Sequence, residues 1–344
     1  AHEAGHFIAA KAVGMRATQF FFGFGPKLWS FQRGETEYGV KLFPLGGFVR
    51  IVGMSYLEEV DPDDLGRTYR EKKFWEKSVV VLAGVGTNFL LAFAMFYGVV
   101  LANGVFEPIP VAQTVLEDSP ADAAGLEAGD VLVRLGESQI HTWDDLTDAL
   151  RDRGPGPAEV EVLRGGEALV LSIDLAPSDS IPGAGYMGVA PEAEQVDVGP
   201  LQGVGVAGRL VGTGIDQTLS ALGRLISPSS LAEYLGVFGG DSEVPEEIRV
   251  VSVIGIASIG DQMEGAASFF FFMAFLNVMF ATVNFFPVLP LDGGHFAIAL
   301  YEKVTRRQAD VRRLIPVAGA VVALLIFLNV VAVILDITNP IQVP

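Results

Sequence analysis

The sequence predicts a polytopic α-helical membrane protein carrying one acidic α/β module. Three observations predict it: charge-free stretches of bilayer length, segregated charges, and strand patterning confined to two segments. Half of the 344 residues are hydrophobic, and mean hydropathy is +0.43. Residues 78–106, 265–291 and 314–335 hold no Asp, Glu, Lys or Arg, and a helix needs about 20 apolar residues to cross a bilayer. A buried helix in a large soluble core seldom requires runs of that length. A fourth apolar piece, residues 7–10, is far too short alone. The chain opens at Ala1-His2-Glu3 without an initiator Met, so the first of four expected spans, residues 1–16, is read as truncated.

Charge sets the expected topology. Residues 11–77 hold 11 Lys and Arg and residues 292–313 hold 5, whereas residues 107–261 hold 7 against 26 acids. Basic loops stay in the cytoplasm, and long domains translocate largely regardless of charge. Four spans with the acidic segment outside satisfy both conditions. The net charge of −18 argues against a nucleic-acid partner. Cysteine is absent, which excludes disulfides and thiolate metal ligands.

Along the chain, residues 17–77 follow the first helix with strand patterning and then a charged linker. Phe20, Phe21, Phe22 and Phe24 precede a Gly25-Pro26 break, and Tyr38, Val40 and Leu42 alternate with period two. A hairpin this aromatic is expected to dip into the membrane interface or the protein interior, where its amides need protein or a wet cavity. Residues 58–77 read as an exposed linker into the second span, 78–106. Residues 107–195 read as the α/β module. Gly129-Asp130 leads strand 131–135, with Asp130 fixing the turn. Thr142 and Asp145 have capping-box spacing for a helix through Arg151, and Arg164-Gly165-Gly166-Glu167 turns a hairpin. Residues 196–264 form an amphipathic juxtamembrane linker, with Leu219, Leu222, Leu225 and Ile226 at helical spacing. Residues 265–313 hold the third span and a cytoplasmic loop, and residues 314–344 the fourth span and a tail. The four phenylalanines 269–272 are read as lipid-facing or packing bulk.

His2-Glu3-Ala4-Gly5-His6 matches H-E-x-x-H. On a helix the two imidazoles share a face and reach one Zn²⁺ with Glu3 alongside. The pattern alone arises by chance. This chain, however, has only four histidines, His2, His6, His141 and His295, and two fall at this spacing inside an apolar helix. Ionisable residues at membrane depth are costly and usually functional. A hydrolytic zinc takes three protein ligands and keeps one position open. Asp292 is the candidate third ligand, because Pro287 and Pro290 break the third span just before it and let its carboxylate turn inward. His295 would close the open position, so a structural role is expected for it. His141 is expected on the surface of the module.

The two motifs together, His2-Glu3-x-x-His6 early and Asn284-x-x-Pro287 to Leu291-Asp292-Gly293 late, resemble the site-2 protease family of intramembrane zinc metalloproteases. Phe22-Gly23-Phe24-Gly25-Pro26, Glu37-Tyr38-Gly39-Val40-Lys41 and Pro44-Leu45-Gly46-Gly47-Phe48 resemble its bacterial branch. The run from Ala124-Gly125-Leu126 through Gly129-Asp130, Gly136 and Ile140 to Trp143 resembles the PDZ domains of such proteases. One PDZ-like domain rather than two is most similar to the actinobacterial regulator-of-sigma-factor type. The resemblance implies that His2, His6 and Asp292 hold Zn²⁺ and that Glu3 is the general base. It further implies that Asn284 contacts the substrate near the scissile bond and that hairpin 18–53 presents the substrate as an added strand. The setting it implies is the bacterial plasma membrane, with the PDZ-like domain extracytoplasmic as a peptide binder or a size gate. The substrate it implies is a single-span protein, either an anti-sigma factor trimmed by an earlier cut or a signal-peptide remnant. One departure is visible: Ala83-Gly84-Val85-Gly86-Thr87-Asn88 stands where the family has Ala-Gly-Pro, which alters the local rigidity of the second span.

Two other classes stay open on the residues alone. A non-catalytic membrane receptor with a structural metal needs no glutamate beside its ligands. A zinc-dependent transporter calls for further ionisable residues along the spans, and after the first span none lies within them before Asp292.

Overall fold

Helix α1 (His2–Ala12) lies against a hairpin of two long strands, β1 (Ala17–Arg33) and β2 (Thr36–Ile51). The computed structural model describes residues 1–55, 58–178, 181–239, 244, 249–263 and 265–339; parts of the expected juxtamembrane linker (240–243, 245–248, 264) and of the tail (340–344) lie outside the described residues. The chain divides into two units, Ala1–Val100 with Pro200–Pro344, and Leu101–Gly199.

In the first unit, Gly14 at φ +70 stops α1 and turns the chain into β1. The hairpin curls on itself: Phe21 stands opposite Gly39 on one side and Phe48 on the other. Gly23 and Gly25, at φ +86 and +87, allow the bend between these pairings. The inner end buries Ala17 and Phe21, while Phe22, Phe24, Leu28, Trp29 and Phe43 stay exposed along the outer part. Residues 58–77 are not the exposed linker that was expected. Asp64, Thr68 and Tyr69 are buried, because Arg16 pairs with Asp64 and the Tyr69 amide donates to the Val52 carbonyl at 2.9 Å. The Tyr69 ring then packs with Ala10, Met15, Ile51 and Val80.

Helix α2 (Phe74–Asn103) runs 30 residues. Gly104, at φ +69, ends it, so Phe106 belongs to the following strand rather than to the span. That strand, β3 (Val105–Val115), opens the second unit. There follow α3 (Pro120–Ala123), β4 (Val131–Leu135), β5 (Ser138–Gln139), α4 (Trp143–Arg153), β6 (Gly156–Arg164), β7 (Glu167–Pro177), β8 (Gly185–Tyr186) and β9 (Val189–Val196). The sheet order is β8-β7-β6-β4-β3-β9, with β5 beside β4. Thr142 and Asp145 form the reciprocal capping box at α4, and Arg164 pairs with Glu167 across a turn whose glycines both have positive φ. Leu132, Leu135, Leu146, Val160, Val162 and Ile173 form the core.

Back in the first unit come α5 (Pro200–Leu225), α6 (Pro228–Gly239), α7 (Val253–Gln262), α8 (Gly265–Asn284), α9 (Asp292–Thr305) and α10 (Ile315–Thr338). Among the described residues α2, α8 and α10 are long and apolar enough to cross a membrane. The buried face of α5 is small, with Gly203, Ala207, Gly214 and Thr218, and a Cβ on Gly214 would stand 3.0 Å from Val278 of α8. Small residues of this kind let helix backbones close up. The third apolar stretch is broken earlier than its composition indicates. Helix α8 stops at Asn284, and Asp292 opens a new helix instead of closing the old one. At the far end of α10, Asp336 pairs with Arg249 at 3.1 Å and accepts the Ser252 amide at 2.8 Å.

In the second unit, Asp130 is fully buried. It accepts two hydrogen bonds from Arg164, both at 2.8 Å, and one from the Glu127 amide at 3.0 Å. The Arg164 guanidinium holds its carboxyl below the usual carboxylate range, and the Glu127 amide adds to this against the cost of burial. A carboxyl depressed on folding stabilises fully above its unfolded pKa of about 3.9 and loses that contribution as pH falls through the folded value. Asp130→Asn is therefore expected to lower stability at pH 7 by about 2–3 kcal/mol. It should also flatten the acid limb below about pH 4, as read by thermal unfolding of both proteins from pH 7 to pH 3.

Candidate metal centre

The first turn of α1 carries His2 and His6 on one face, as a four-residue spacing requires. Their Nε2 atoms stand 3.1 Å apart. Asp292, the first residue of α9, brings Oδ2 to 2.9 Å from His2 Nε2 and 3.2 Å from His6 Nε2. Among the described residues these three form the one group with metal-ligand geometry. A tetrahedral zinc with bonds of about 2.0–2.1 Å places its ligand atoms about 3.3 Å apart, close to the sides of this triangle.

The second helix fixes the orientation of the His6 ring. His6 Nδ1 lies 2.8 Å from the Val80 carbonyl, which can only accept, so Nδ1 carries a hydrogen and Nε2 is the ring nitrogen turned toward His2 and Asp292. The donor set, two imidazoles and one carboxylate, is that of hydrolytic zinc sites with an open fourth position.

Backbone closeness builds this triangle. A Cβ on Gly84 would fall 2.2 Å from His6 Nε2, and one on Gly5 would fall 2.4 Å from the Ala83 carbonyl oxygen. Helices α1 and α2 therefore meet glycine to backbone, with the His6 ring lying on Gly84. On the third side, a Cβ on Gly293 would stand 2.1 Å from the Phe285 carbonyl and one on Gly294 2.5 Å from the Leu289 amide. The Gly293-Gly294 pair thus folds residues 285–289 back onto α9 and fixes Asp292 as its leading residue.

Glu3 is not part of the triangle. Its Oε2 accepts the Val49 amide of β2 at 3.0 Å, and its Cγ lies beside Gly47. Asn284 is the last residue of α8, half-buried, and its side chain makes no hydrogen bond among the described residues. His295 stands edge-on to Tyr69 with ring centres 6.3 Å apart. His141 is exposed on the second unit, and its amide donates to Asp145. Sequence reasoning did not single out Val80, Gly84 or Val49; the glycine in 83–88 was visible, but a span contains glycines for many reasons.

Three convergent donor groups that could hold a metal ion, in a chain with helices long and apolar enough to cross a membrane, are the features of a membrane metallohydrolase. The family model for Peptidase family M50 matches residues 1–328, and the chain belongs to that family. It is 31% identical to zinc metalloprotease Rip1 of Mycobacterium bovis BCG over 99% of this chain and 94% of the relative. It is 30% identical to the protein of that name from Mycolicibacterium smegmatis, over 99% and 95% respectively. A solved PDZ domain of an SdrC-like protein from Listeria monocytogenes covers 25% of this chain and 90% of its own length, at 19% identity and a TM-score of 0.22.

Gly84→Ala is expected to push the His6 ring out of the triangle and weaken metal binding about 10–100-fold. Gly86→Ala, in the same helix with open space around its Cβ position, is expected to leave binding unchanged. Metal titration of the two proteins, with circular dichroism as the folding check, separates these outcomes.

Proposed function

We propose that the chain is an intramembrane zinc endopeptidase that cuts a single-span transmembrane substrate. The observation that carries this reading is the position of the triangle. His6 lies on Gly84 of α2, six residues into the charge-free stretch that begins at Ser78. By the helical rise that is about 9 Å inside it. A hydrolytic centre at that depth serves a peptide bond that is itself within the bilayer or at its edge.

His2, His6 and Asp292 hold the zinc, which when bound supplies Lewis-acid polarisation and a nucleophile at neutral pH. Glu3, steadied at Oε2 by the Val49 amide, takes the proton at Oε1. Asn284 donates its side-chain amide to the substrate near the scissile carbonyl. A helical substrate hides its carbonyls in i→i−4 bonds and must unwind before it can be cut. The hairpin of β1 and β2 offers the replacement bonds by strand addition.

Four spans are proposed, with α1 at bilayer depth against α2 and the basic segments 11–77 and 292–313 on the cytoplasmic side of the plasma membrane. The PDZ-like unit is then extracytoplasmic and acts as a size filter that admits pre-trimmed proteins. An anti-sigma factor already shortened by another protease is the favoured substrate class, and a signal-peptide remnant is the second.

Glu3→Gln is expected to lower cleavage of a reconstituted transmembrane peptide about 10²–10⁴-fold while zinc content stays at the wild-type level. Undiminished cutting would remove Glu3 from the reaction. Asn284→Ala is expected to lose about 10²–10³-fold. Deleting residues 107–175 should allow cutting of an untrimmed substrate, and unchanged selectivity in that protein would count against the filter.

A further inference from the structure

We propose that the apolar cavity between α9 and α10 is a binding site for one anionic phospholipid. The cavity holds about 500 Å³, within the range of pockets that take compact organic ligands. One wall is a single stripe of α9, formed by Gly294, Ala297, Ile298 and Tyr301. Leu314 and Val317 of α10 face it, and residues 287–289 complete the apolar lining. The charged lining residues are Asp310 and Arg313, paired at 3.1 Å.

The segment that contributes this pair, residues 303–313, is strongly basic. Lys303, Arg306, Arg307, Arg312 and Arg313 are all exposed, and among the described residues only Arg313 makes an ion pair. The neighbouring acid, Glu302, is engaged by Lys77 at 3.0 Å. Four exposed cations on the segment that lines one side of the hollow are thus left without an ion pair among the described residues.

That combination selects the ligand. A soluble anion would leave the lining unfilled, and a neutral lipid would leave the cations unpaired. A fatty chain for the hollow and a phosphate for the guanidinium groups satisfy both, as in other basic pockets between membrane helices. The leading amides of α10 have no side-chain cap and favour an anion at the same end.

The occupant would also bear on the metal centre. Gly294, in the cavity wall, is packed against the Leu289 amide, and Asp292 lies on the segment between them. A chain in the cavity therefore braces the turn that delivers the third ligand. This inference rests on the membrane placement of α8 and α10 in the proposed function and not on the peptidase chemistry.

Native mass spectrometry of the delipidated full chain, titrated with phosphatidylglycerol or phosphatidylcholine of identical chains, tests it. One phosphatidylglycerol is expected to bind at least tenfold more tightly than phosphatidylcholine. Arg312→Gln with Arg313→Gln should weaken phosphatidylglycerol at least tenfold, and Val317→Trp, which fills the hollow, should weaken both lipids. Equal binding of the two lipids by the wild type, undiminished phosphatidylglycerol in the double-arginine protein, or displacement by inorganic phosphate alone would overturn the proposal. Both arginines are exposed, so the double variant tests the site even where the tryptophan variant fails to fold. Glu3→Gln is the reference: it should bind phosphatidylglycerol like wild type while cutting nothing, so lipid site and peptidase chemistry fail separately.

Discussion

The contact on which the rest of the first unit depends is the approach of α1 to α2 at Gly5 and Gly84. Two missing side chains bring the helices close enough for the His6 ring to lie on the Gly84 backbone and reach the Val80 carbonyl. That carbonyl fixes which nitrogen of His6 is free. A single methyl group at either glycine would have to occupy space already filled by an imidazole or a peptide oxygen. The geometry of the centre is therefore set by helix packing before any metal binds.

The Asp292 carboxylate reaches the same point by a different device. A helix that ran unbroken from α8 through α9 would carry Asp292 two full turns past Asn284. Prolines at 287 and 290 end α8, and the Gly293-Gly294 pair lets residues 285–289 fold against the new helix. A carboxylate at the first residue of a helix also sits where the backbone dipole favours negative charge. The Asp292 carboxylate reaches both imidazoles, while His2 Nδ1 is buried without a hydrogen-bond partner among the described residues.

What could be read from the sequence was whatever carries its own period or punctuation. The four-residue spacing of His2 and His6, the Thr142–Asp145 cap and the Arg164–Glu167 turn are local, and the structure contains each of them. Asp292 could be nominated because prolines flank it, although its place at the start of a helix rather than the end of one could not. Long-range pairings were out of reach. The burial of Tyr69 and Asp64 depends on Arg16 and Val52, and the pairing of β3 with β9 joins segments about 80 residues apart. The end of α2 at Gly104 escaped notice for another reason: the charge-free run continues past it through Val105 and Phe106, and its positive backbone angle sets that glycine apart from Gly98 inside the helix.

The bond from the Val49 amide to Glu3 links two parts of the protein that differ in stiffness. One end is a helix locked by glycine contacts; the other is a curled sheet with bare aromatic rings along its outer half. The Glu3 carboxylate meets the Val49 amide at 3.0 Å, and the Lys11–Glu35 pair and the Phe7–Phe20 ring contact join the same helix and sheet. The position of the Glu3 carboxylate is therefore set jointly by the first helix and by the inner end of the hairpin.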